Sequence, residues 1–196
     1  MLYPLTSDLH GSSVLVVGAG RIGSRKIGSL VNAGARVTVV SPEATPEVRM
    51  LASINKIVWK QRTFRLRDLR KQYLAVAATH SSAINARVFS AGERRQILVN
   101  SVDDPANCSF HVPARISRGK LEVAISTSGT APYFARRFKT FLDQILPSDL
   151  GSRIEKIGEI RRSVLEDAPT NKEKRATLVR EALDPEIDGL LENIQR

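Results

Sequence analysis

The feature that most constrains this chain is a glycine-rich turn between a strand pattern and a helix pattern near its amino terminus. Residues 14–17 are four consecutive apolar residues, which predict a fully buried strand. Residues 18–23 follow at once with the sequence Gly-Ala-Gly-Arg-Ile-Gly. Ile27, Leu30 and Val31 then fall on one face of a helical period. The order of strand, glycine turn and helix is typical of a nucleotide-binding α/β unit.

Each glycine of this turn has a separate role in the pattern. We expect Gly18 to permit a tight turn, Gly20 to let the backbone approach a pyrophosphate, and Gly23 to let the helix pack closely on the strand. Free N–H groups and the helix dipole favour an anion at the start of the helix. A second strand pattern, residues 36–40, lies at the distance of a strand–helix–strand unit. The sequence therefore predicts that the turn binds a dinucleotide.

The composition is that of an ordinary globular protein, with 42% hydrophobic and 26% charged residues. No apolar run is long enough to cross a bilayer, and the amino terminus lacks the apolar stretch of a secretory signal. We therefore expect a cytoplasmic protein without a membrane partner. Cys108 is the single cysteine, which excludes an intramolecular disulfide and a cysteine-rich metal site.

The net charge of +10 is unevenly distributed, because the first 149 residues carry 21 basic and 10 acidic side chains. Such an excess favours a polyanionic partner, either nucleic acid or a ligand with many carboxylates or phosphates. No helix-turn-helix, zinc-finger or aromatic RNA-binding pattern is present, and aromatic residues make up only 5% of the chain. We expect no nucleic-acid partner. A contribution to solubility alone is the other explanation of the charge.

Polar residues follow two of the predicted strands, at the sheet edge where ligands bind in folds of this kind. The strand at 36–40 ends in Ser41 and Pro42, where the usual NAD pattern has an acid. This position therefore does not decide between NAD and NADP. A strand at 73–78 leads into the polar loop 79–82, which we assign to the site.

Two acidic residues, Asp103 and Asp104, follow a further strand pattern at 96–99. Adjacent acids before a proline are most typical of a turn. They are credible general bases only if one of them faces the cleft. The earlier segment 60–71 carries six Lys and Arg residues, and we interpret it as a solvated surface.

The pattern changes towards the carboxyl terminus. A strand is predicted at 121–126, and a helix start rich in glycine and hydroxyl residues precedes Pro132. From residue 152 onward the chain is helical in pattern and strongly charged. We expect Pro169 and Pro185 to divide this part into two or three helices.

Taken together, these motifs resemble the precorrin-2 dehydrogenase/sirohydrochlorin ferrochelatase family, which makes siroheme. The motifs run through about the first 150 residues, and their order and spacing are more specific than any one of them. The matching segments are Tyr3 and Pro4, Val16–Lys26, Ala33–Pro42, Ala77–Thr79, Asn85, Val99–Asp103, Cys108–Pro113, Ala124–Pro132, and Ala135 with Arg136.

The resemblance implies an α/β fold: a Rossmann-type parallel sheet, then a small α/β dimerisation region, then a helical segment. It implies an NAD-binding domain at 1–113, a dimerisation and active-site region at 114–147, and a helical domain at 148–196. It also implies a homodimer that dehydrogenates precorrin-2 with NAD, with or without insertion of Fe²⁺. Precorrin-2 carries eight carboxylate side arms, which accounts for the basic excess.

The resemblance also implies roles for particular residues. Asp103 matches the family's catalytic aspartate, and no metal ligands are needed because the macrocycle supplies nitrogens to iron. His80 stands where relatives often have an acid, and a role for His80 or His111 stays open. A regulatory Rossmann module that binds NAD or a tetrapyrrole without turnover is the alternative function. The implied cofactor contacts are Gly18, Gly20, Arg21, Ile22, Gly23, Ser41, Pro42 and Thr79.

Overall fold

The computed structural model describes residues 2–102, 104–166, 168 and 171–195. They group into two compact units, residues 2–112 and the chain from residue 113 onward. The strands of the first unit are β1 (Ser13–Ala19), β2 (Arg36–Ala44), β3 (Ile57–Lys60), β4 (Leu74–Ala77) and β5 (Leu98–Ser101). Its helices are α1 (Arg21–Asn32), α2 (Pro46–Ser53) and α3 (Ser82–Glu93), with single 3₁₀ turns at Leu66–Leu69 and Pro105–Asn107.

The five strands form one parallel sheet in the order β3-β2-β1-β4-β5. The predicted Rossmann-type α/β fold is confirmed. Alternate residues of β1 enter two separate cores because successive side chains of a strand point to opposite faces. Val14 and Val16 pack with Ile27 of α1. Leu15 and Val17 pack on the other face with the residues of α3. The apolar run at 14–17 is thus buried on both sides.

Strands β2 and β5 differ most from the predicted bounds, whereas β1, β3 and β4 differ by one or two residues at their ends. Strand β2 continues beyond Val40 to Ala44, which pairs with Ala19 after a register shift at Gly18. Strand β5 begins at Leu98 because Gln96 has a φ of +57°, which interrupts extended backbone. Strands β1, β4 and β5 still end at one edge of the sheet, as parallel pairing requires.

The basic segment 60–71 is only in part the solvated surface that we predicted. The Asp68 side chain is 2% exposed and accepts two hydrogen bonds from the Arg62 guanidinium, at 2.6 and 2.8 Å. The Arg65 N–H donates a third at 2.9 Å. These contacts, with the Arg62 hydrogen bond foremost, hold the pKa of Asp68 below its usual value. Arg62 therefore neutralises a buried acid, whereas Arg65 and Arg67 are exposed.

The second unit contains a hairpin and three helices. Strands β6 (Ala114–Arg118) and β7 (Leu121–Ile125) pair antiparallel, and β6 was not predicted. The helices are α4 (Pro132–Ile145), α5 (Leu150–Glu166) and α6 (Lys172–Gln195). The prediction for Pro185 is wrong, because Pro185 lies inside α6. Proline has no backbone N–H, so α6 lacks the one hydrogen bond that residue 185 would donate to the carbonyl of residue 181. Pro169 lies outside the described residues.

The hairpin turn and the start of α5 pack backbone against backbone. A Cβ added at Gly151 would lie 2.6 Å from the carbonyl oxygen of Arg118 and 2.9 Å from the Gly119 N–H nitrogen. Only glycine permits this approach. The further division of this unit at residue 147 stays a prediction. Within the described part of the chain, no helix combines the length and apolar character needed to cross a bilayer.

Candidate dinucleotide-binding site

The glycine turn joins β1 to α1 and is pressed against the carboxyl end of β4. Gly18 has a φ of +99°, and an added Cβ would lie 2.9 Å from the Thr79 nitrogen and still closer to the Ala78 carbonyl. A Cβ on Gly23 would lie 3.0 Å from the Gly18 carbonyl carbon and still closer to its oxygen. Both positions require glycine for packing alone. Together these contacts fix where α1 begins relative to β1 and β4.

Gly20 differs from its two neighbours in the motif. It precedes α1 with φ −74° and ψ −172°, a conformation that any residue adopts. The nearest atom to an added Cβ would be His80 Nε2, at 3.8 Å. Neither backbone conformation nor packing within the protein therefore calls for glycine at this position. The open space above Gly20 fits a pyrophosphate that approaches the backbone, because the helix start leaves its N–H groups free to bind an anion.

A cavity of about 540 Å³ opens in front of the turn, a size typical of sites for small ligands. The turn forms one wall, and the end of β2 forms another. Phe64 and Ile84 supply apolar surface between the polar groups. Ser41 is buried, and its carbonyl accepts a hydrogen bond of 3.0 Å from Trp59 Nε1, which fixes the end of β2.

The loop after β4 is held in place by a buried amide. Asn85 of α3 is 5% exposed, and its Oδ1 accepts hydrogen bonds from the Thr79 N–H (3.2 Å) and the Thr79 hydroxyl (2.7 Å). Its Nδ2 donates to the Thr79 carbonyl at 3.1 Å. Ser81 caps α3 by accepting the Ile84 N–H. Thr79 is thereby positioned on the cavity wall beside the glycine turn.

The segment after β5 is tied to the sheet by Cys108. Its sulfur accepts the Ser101 N–H at 3.2 Å, and its S–H faces the carbonyls of Ser101 and Asp104. Asn100 Nδ2 donates to the Phe110 carbonyl at 3.0 Å. Burial raises the pKa of the Cys108 thiol, so the group is a protonated structural contact at neutral pH. These bonds hold the segment that carries Asp104 at the end of β5.

A second cavity adjoins the first and shares four of its wall residues, Gly20, Ala78, Thr79 and His80. It is also lined by Asp104, at the start of the loop that Cys108 closes. Asp104 therefore faces a cleft rather than only forming a turn. Asp103, the predicted catalytic residue, lies outside the described residues.

The residues predicted to hold the cofactor are distributed over these two cavities. Gly18, Ser41 and Pro42 line the first, Arg21 and Ile22 line the second, and Gly20 and Thr79 line both. Gly23 lines neither cavity and packs beneath the turn. Their roles in binding stay predictions.

The two histidines left open in the sequence are in different surroundings. His80 lines both cavities and is exposed. His111 is exposed and lines neither. Among the residues that the structure describes, no group of three or more His, Cys, Asp or Glu side chains could hold a metal ion.

Sequence reasoning missed several residues of the first cavity because they lie far from the glycine turn in the chain. Glu43 and Arg49 lie just beyond the predicted end of β2, and Thr63 and Phe64 belong to the segment interpreted as solvated surface. If β2 had been predicted to continue by four residues, to Ala44, Glu43 would have been placed at the site. The sequence carries no comparable signal for Phe64.

A family model described as putative NAD(P)-binding matches residues 5–114. The chain is 40% identical over 173 residues to the siroheme synthase of Neisseria meningitidis serogroup C (strain 053442), covering 88% of this chain and 36% of that protein. It is 40% identical over 161 residues to siroheme synthase 1 of Serratia proteamaculans (strain 568), covering 82% and 34%. The match thus spans about a third of the length of these relatives.

The chain is also similar to a solved structure over almost its full length. This structure is that of SirC, a precorrin-2 dehydrogenase, with 27% identity, a TM-score of 0.76, and coverage of 99% of both chains. The similarity therefore includes the hairpin and the helices that follow the parallel sheet.

Proposed function

Because the chain belongs to the putative NAD(P)-binding family, we propose that it is an NAD-dependent dehydrogenase that converts precorrin-2 to sirohydrochlorin. The sequence motifs predicted a resemblance to the siroheme-forming family. The similarity of the chain to siroheme synthases and to a precorrin-2 dehydrogenase confirms that resemblance. The activity that we propose for this chain is the one that the similar precorrin-2 dehydrogenase is described as having.

The observation that carries the proposal is the space above Gly20. The turn is packed so that Gly18 and Gly23 lock the start of α1, while a Cβ at Gly20 would have His80 Nε2, at 3.8 Å, as its nearest contact from elsewhere in the chain. An open position at a helix start, in a cavity wall, is the geometry that admits the phosphates of a dinucleotide. The adjoining second cavity gives room for a substrate at the far side of Thr79.

When bound, NAD⁺ accepts a hydride from the substrate. The protein residues orient the two reactants and take up the proton that is also lost. In our proposal the glycine turn and the α1 N–H groups hold the pyrophosphate, and the Asn85 clamp keeps Thr79 at the boundary of the two cavities. The carboxylate of Asp103 accepts the proton, which is the role of a general base.

The substrate class agrees with the charge of the chain. Arg21 lines the second cavity, where it would attract a carboxylate side arm of the tetrapyrrole. Asp104 lines the same cavity and would orient a ring N–H by accepting its hydrogen bond. The net charge of +10 favours approach of a polycarboxylate at low ionic strength.

The test is anaerobic incubation of the protein with precorrin-2 and NAD⁺, followed by absorbance. We expect NADH and sirohydrochlorin to form together. Asp103→Asn should lower kcat by about 10²–10⁴ and leave the NAD⁺ Kd unchanged, because the amide keeps the size of the acid but cannot accept the proton. Asp104→Asn is the matched control and should retain most of kcat, because its amide oxygen can still accept the hydrogen bond that we propose from a ring N–H.

Three other outcomes would change the proposal. Full activity of Asp103→Asn would remove Asp103 from the proton-accepting role. NAD⁺ binding with no NADH and no spectral change would favour the regulatory module that binds its ligands without turnover. Acceleration of siroheme formation on addition of Fe²⁺ would extend the proposal to ferrochelation, in which the same acid helps to remove the pyrrole protons.

We also propose that the chain forms a homodimer through α4. Tyr133, Phe134, Phe138, Phe141 and Ile145 of this helix are all exposed. The Phe134 and Phe138 rings stack at 5.6 Å, and those of Phe138 and Phe141 at 6.2 Å. An apolar aromatic stripe of this length is typical of a surface that another chain covers. We propose a cytoplasmic location together with this function.

A further inference from the structure

The end of β2 lacks the acid that normally selects NAD over NADP. In the common pattern an Asp or Glu at this position binds the ribose hydroxyls of NAD, and a nearby Arg accommodates the 2′-phosphate of NADP. Here the position is Ser41, which is buried and fixed by Trp59. A hydroxyl neither attracts nor repels a phosphate by charge. Cofactor preference must therefore come from other residues of the same wall.

Arg49 supplies a positive charge at this wall. It lies in the first cavity, and its Nε donates a 3.0 Å hydrogen bond to the carbonyl of Ala44, the last residue of β2. This bond fixes the guanidinium beside the strand end. Among the described residues, its two terminal nitrogens have no hydrogen-bond or ion-pair partner. They remain available for the paired hydrogen bonds that a guanidinium makes to phosphate.

Glu43 supplies a negative charge at the same wall, two residues after Ser41. No ion pair joins Glu43 to Arg49 in the part of the chain that the structure describes. The two charges therefore act separately on a ligand. A carboxylate here accepts hydrogen bonds from ribose hydroxyls and repels a phosphate, whereas the guanidinium attracts one.

We propose that Arg49 binds the 2′-phosphate of NADP⁺, so that the cavity accepts NADP⁺ as well as NAD⁺, and that Glu43 opposes it and sets the balance. The inference rests on the proposed dinucleotide site. It does not depend on precorrin-2 as substrate, because it concerns only the adenosine end of the cofactor.

The test is isothermal titration of the protein with NAD⁺ and with NADP⁺ at pH 7.5, where the 2′-phosphate is mostly dianionic, at constant ionic strength. We expect the two Kd values to lie within about tenfold of each other. Arg49→Gln should weaken NADP⁺ binding by about tenfold and change NAD⁺ binding by less than about twofold. Glu43→Gln should act in the opposite sense, strengthening NADP⁺ and weakening NAD⁺ by several-fold.

Arg36→Gln is the control for the loss of one positive charge, because Arg36 starts β2 at the opposite edge of the sheet. It should change neither Kd appreciably. NADP⁺ binding more than about a hundredfold weaker than NAD⁺ binding, or an equal effect of Arg49→Gln on both, would overturn the inference. Failure to bind either dinucleotide would instead refute the proposed site, so the two failures are distinguishable.

Discussion

Substituting alanine for each glycine of the turn should separate the roles of the three residues. The same methyl group is added three times, but its neighbours differ. At Gly18 it meets the Ala78 carbonyl and requires an L-residue at φ +99°, and at Gly23 it meets the Gly18 carbonyl. At Gly20 it projects into open space. We therefore expect two variants that lose stability and one that loses affinity.

The magnitudes follow from these contacts. A positive φ costs a side chain about 1–2 kcal/mol, and overpacking against fixed backbone costs about 1–3 kcal/mol. Gly18→Ala should therefore lose about 2–5 kcal/mol of unfolding free energy. Gly23→Ala should lose about 1–3 kcal/mol, offset by up to about 1 kcal/mol of helix propensity.

For Gly20→Ala, two effects on the free energy of unfolding of the ligand-free protein nearly cancel. Loss of glycine at the helix N-cap costs about 0.5–1 kcal/mol, and the lower entropy of the unfolded chain restores about 0.4–1 kcal/mol. Only the complex with NAD⁺ has the overpacking cost of about 1–3 kcal/mol, which corresponds to an increase of roughly fivefold to 150-fold in the NAD⁺ Kd.

Urea unfolding gives the stabilities, and isothermal titration with NAD⁺ gives the affinities. All three proteins are measured at one temperature and ionic strength, with wild type as reference. If Gly20→Ala bound NAD⁺ with unchanged Kd, the pyrophosphate would not lie above Gly20. If Gly20→Ala lost as much stability as Gly18→Ala, the space seen in the structure would not exist in solution.

Three further outcomes are expected from the described contacts. Asn85→Ala removes the hydrogen bonds to Thr79 and should weaken NAD⁺ binding about tenfold by titration; an unchanged Kd would mean that the loop holds its position without the clamp. Asp68→Asn should lower the free energy of unfolding by about 2–4 kcal/mol at neutral pH. Because the folded state lowers the pKa of Asp68, wild type loses stability as the pH falls below about 4, and the variant should lose less over the same range. An equally steep loss in the variant would contradict this. Phe138→Glu should convert a dimer to a monomer in light scattering. Thr140→Glu, at an exposed position of the same helix, adds the same charge and is the control. A wild-type monomer at micromolar concentration would refute the α4 interface.

Much of the first unit could be predicted from the sequence because its signals are local. The apolar run at 14–17 and the glycine spacing of 18–23 depend on residues adjacent in the chain, and backbone sterics turn them into strand, turn and helix. The polar loop at Thr79 was predicted to be part of the site for a similar reason, since parallel strands place their carboxyl ends at one edge.

Only the tertiary structure decided which charges and amides belong to the site and which to the core. Arg62 and Arg65 are alike in the sequence, yet of these two only Arg62 reaches the buried Asp68 carboxylate with its side chain. The difference depends on where the 3₁₀ turn at 66–69 places Asp68, which no local pattern specifies.

The glycines show the same division most clearly. The sequence by itself determined that residues 18–23 turn a buried strand into a helix, because only glycine tolerates the close approaches and the positive φ of such a turn. The motif predicted a separate role for each glycine, but it could not identify the residues that crowd Gly18 or border the open space at Gly20. They are Ala78, Thr79 and His80, about 60 residues away in the chain, which parallel pairing of β1 with β4 brings to the turn.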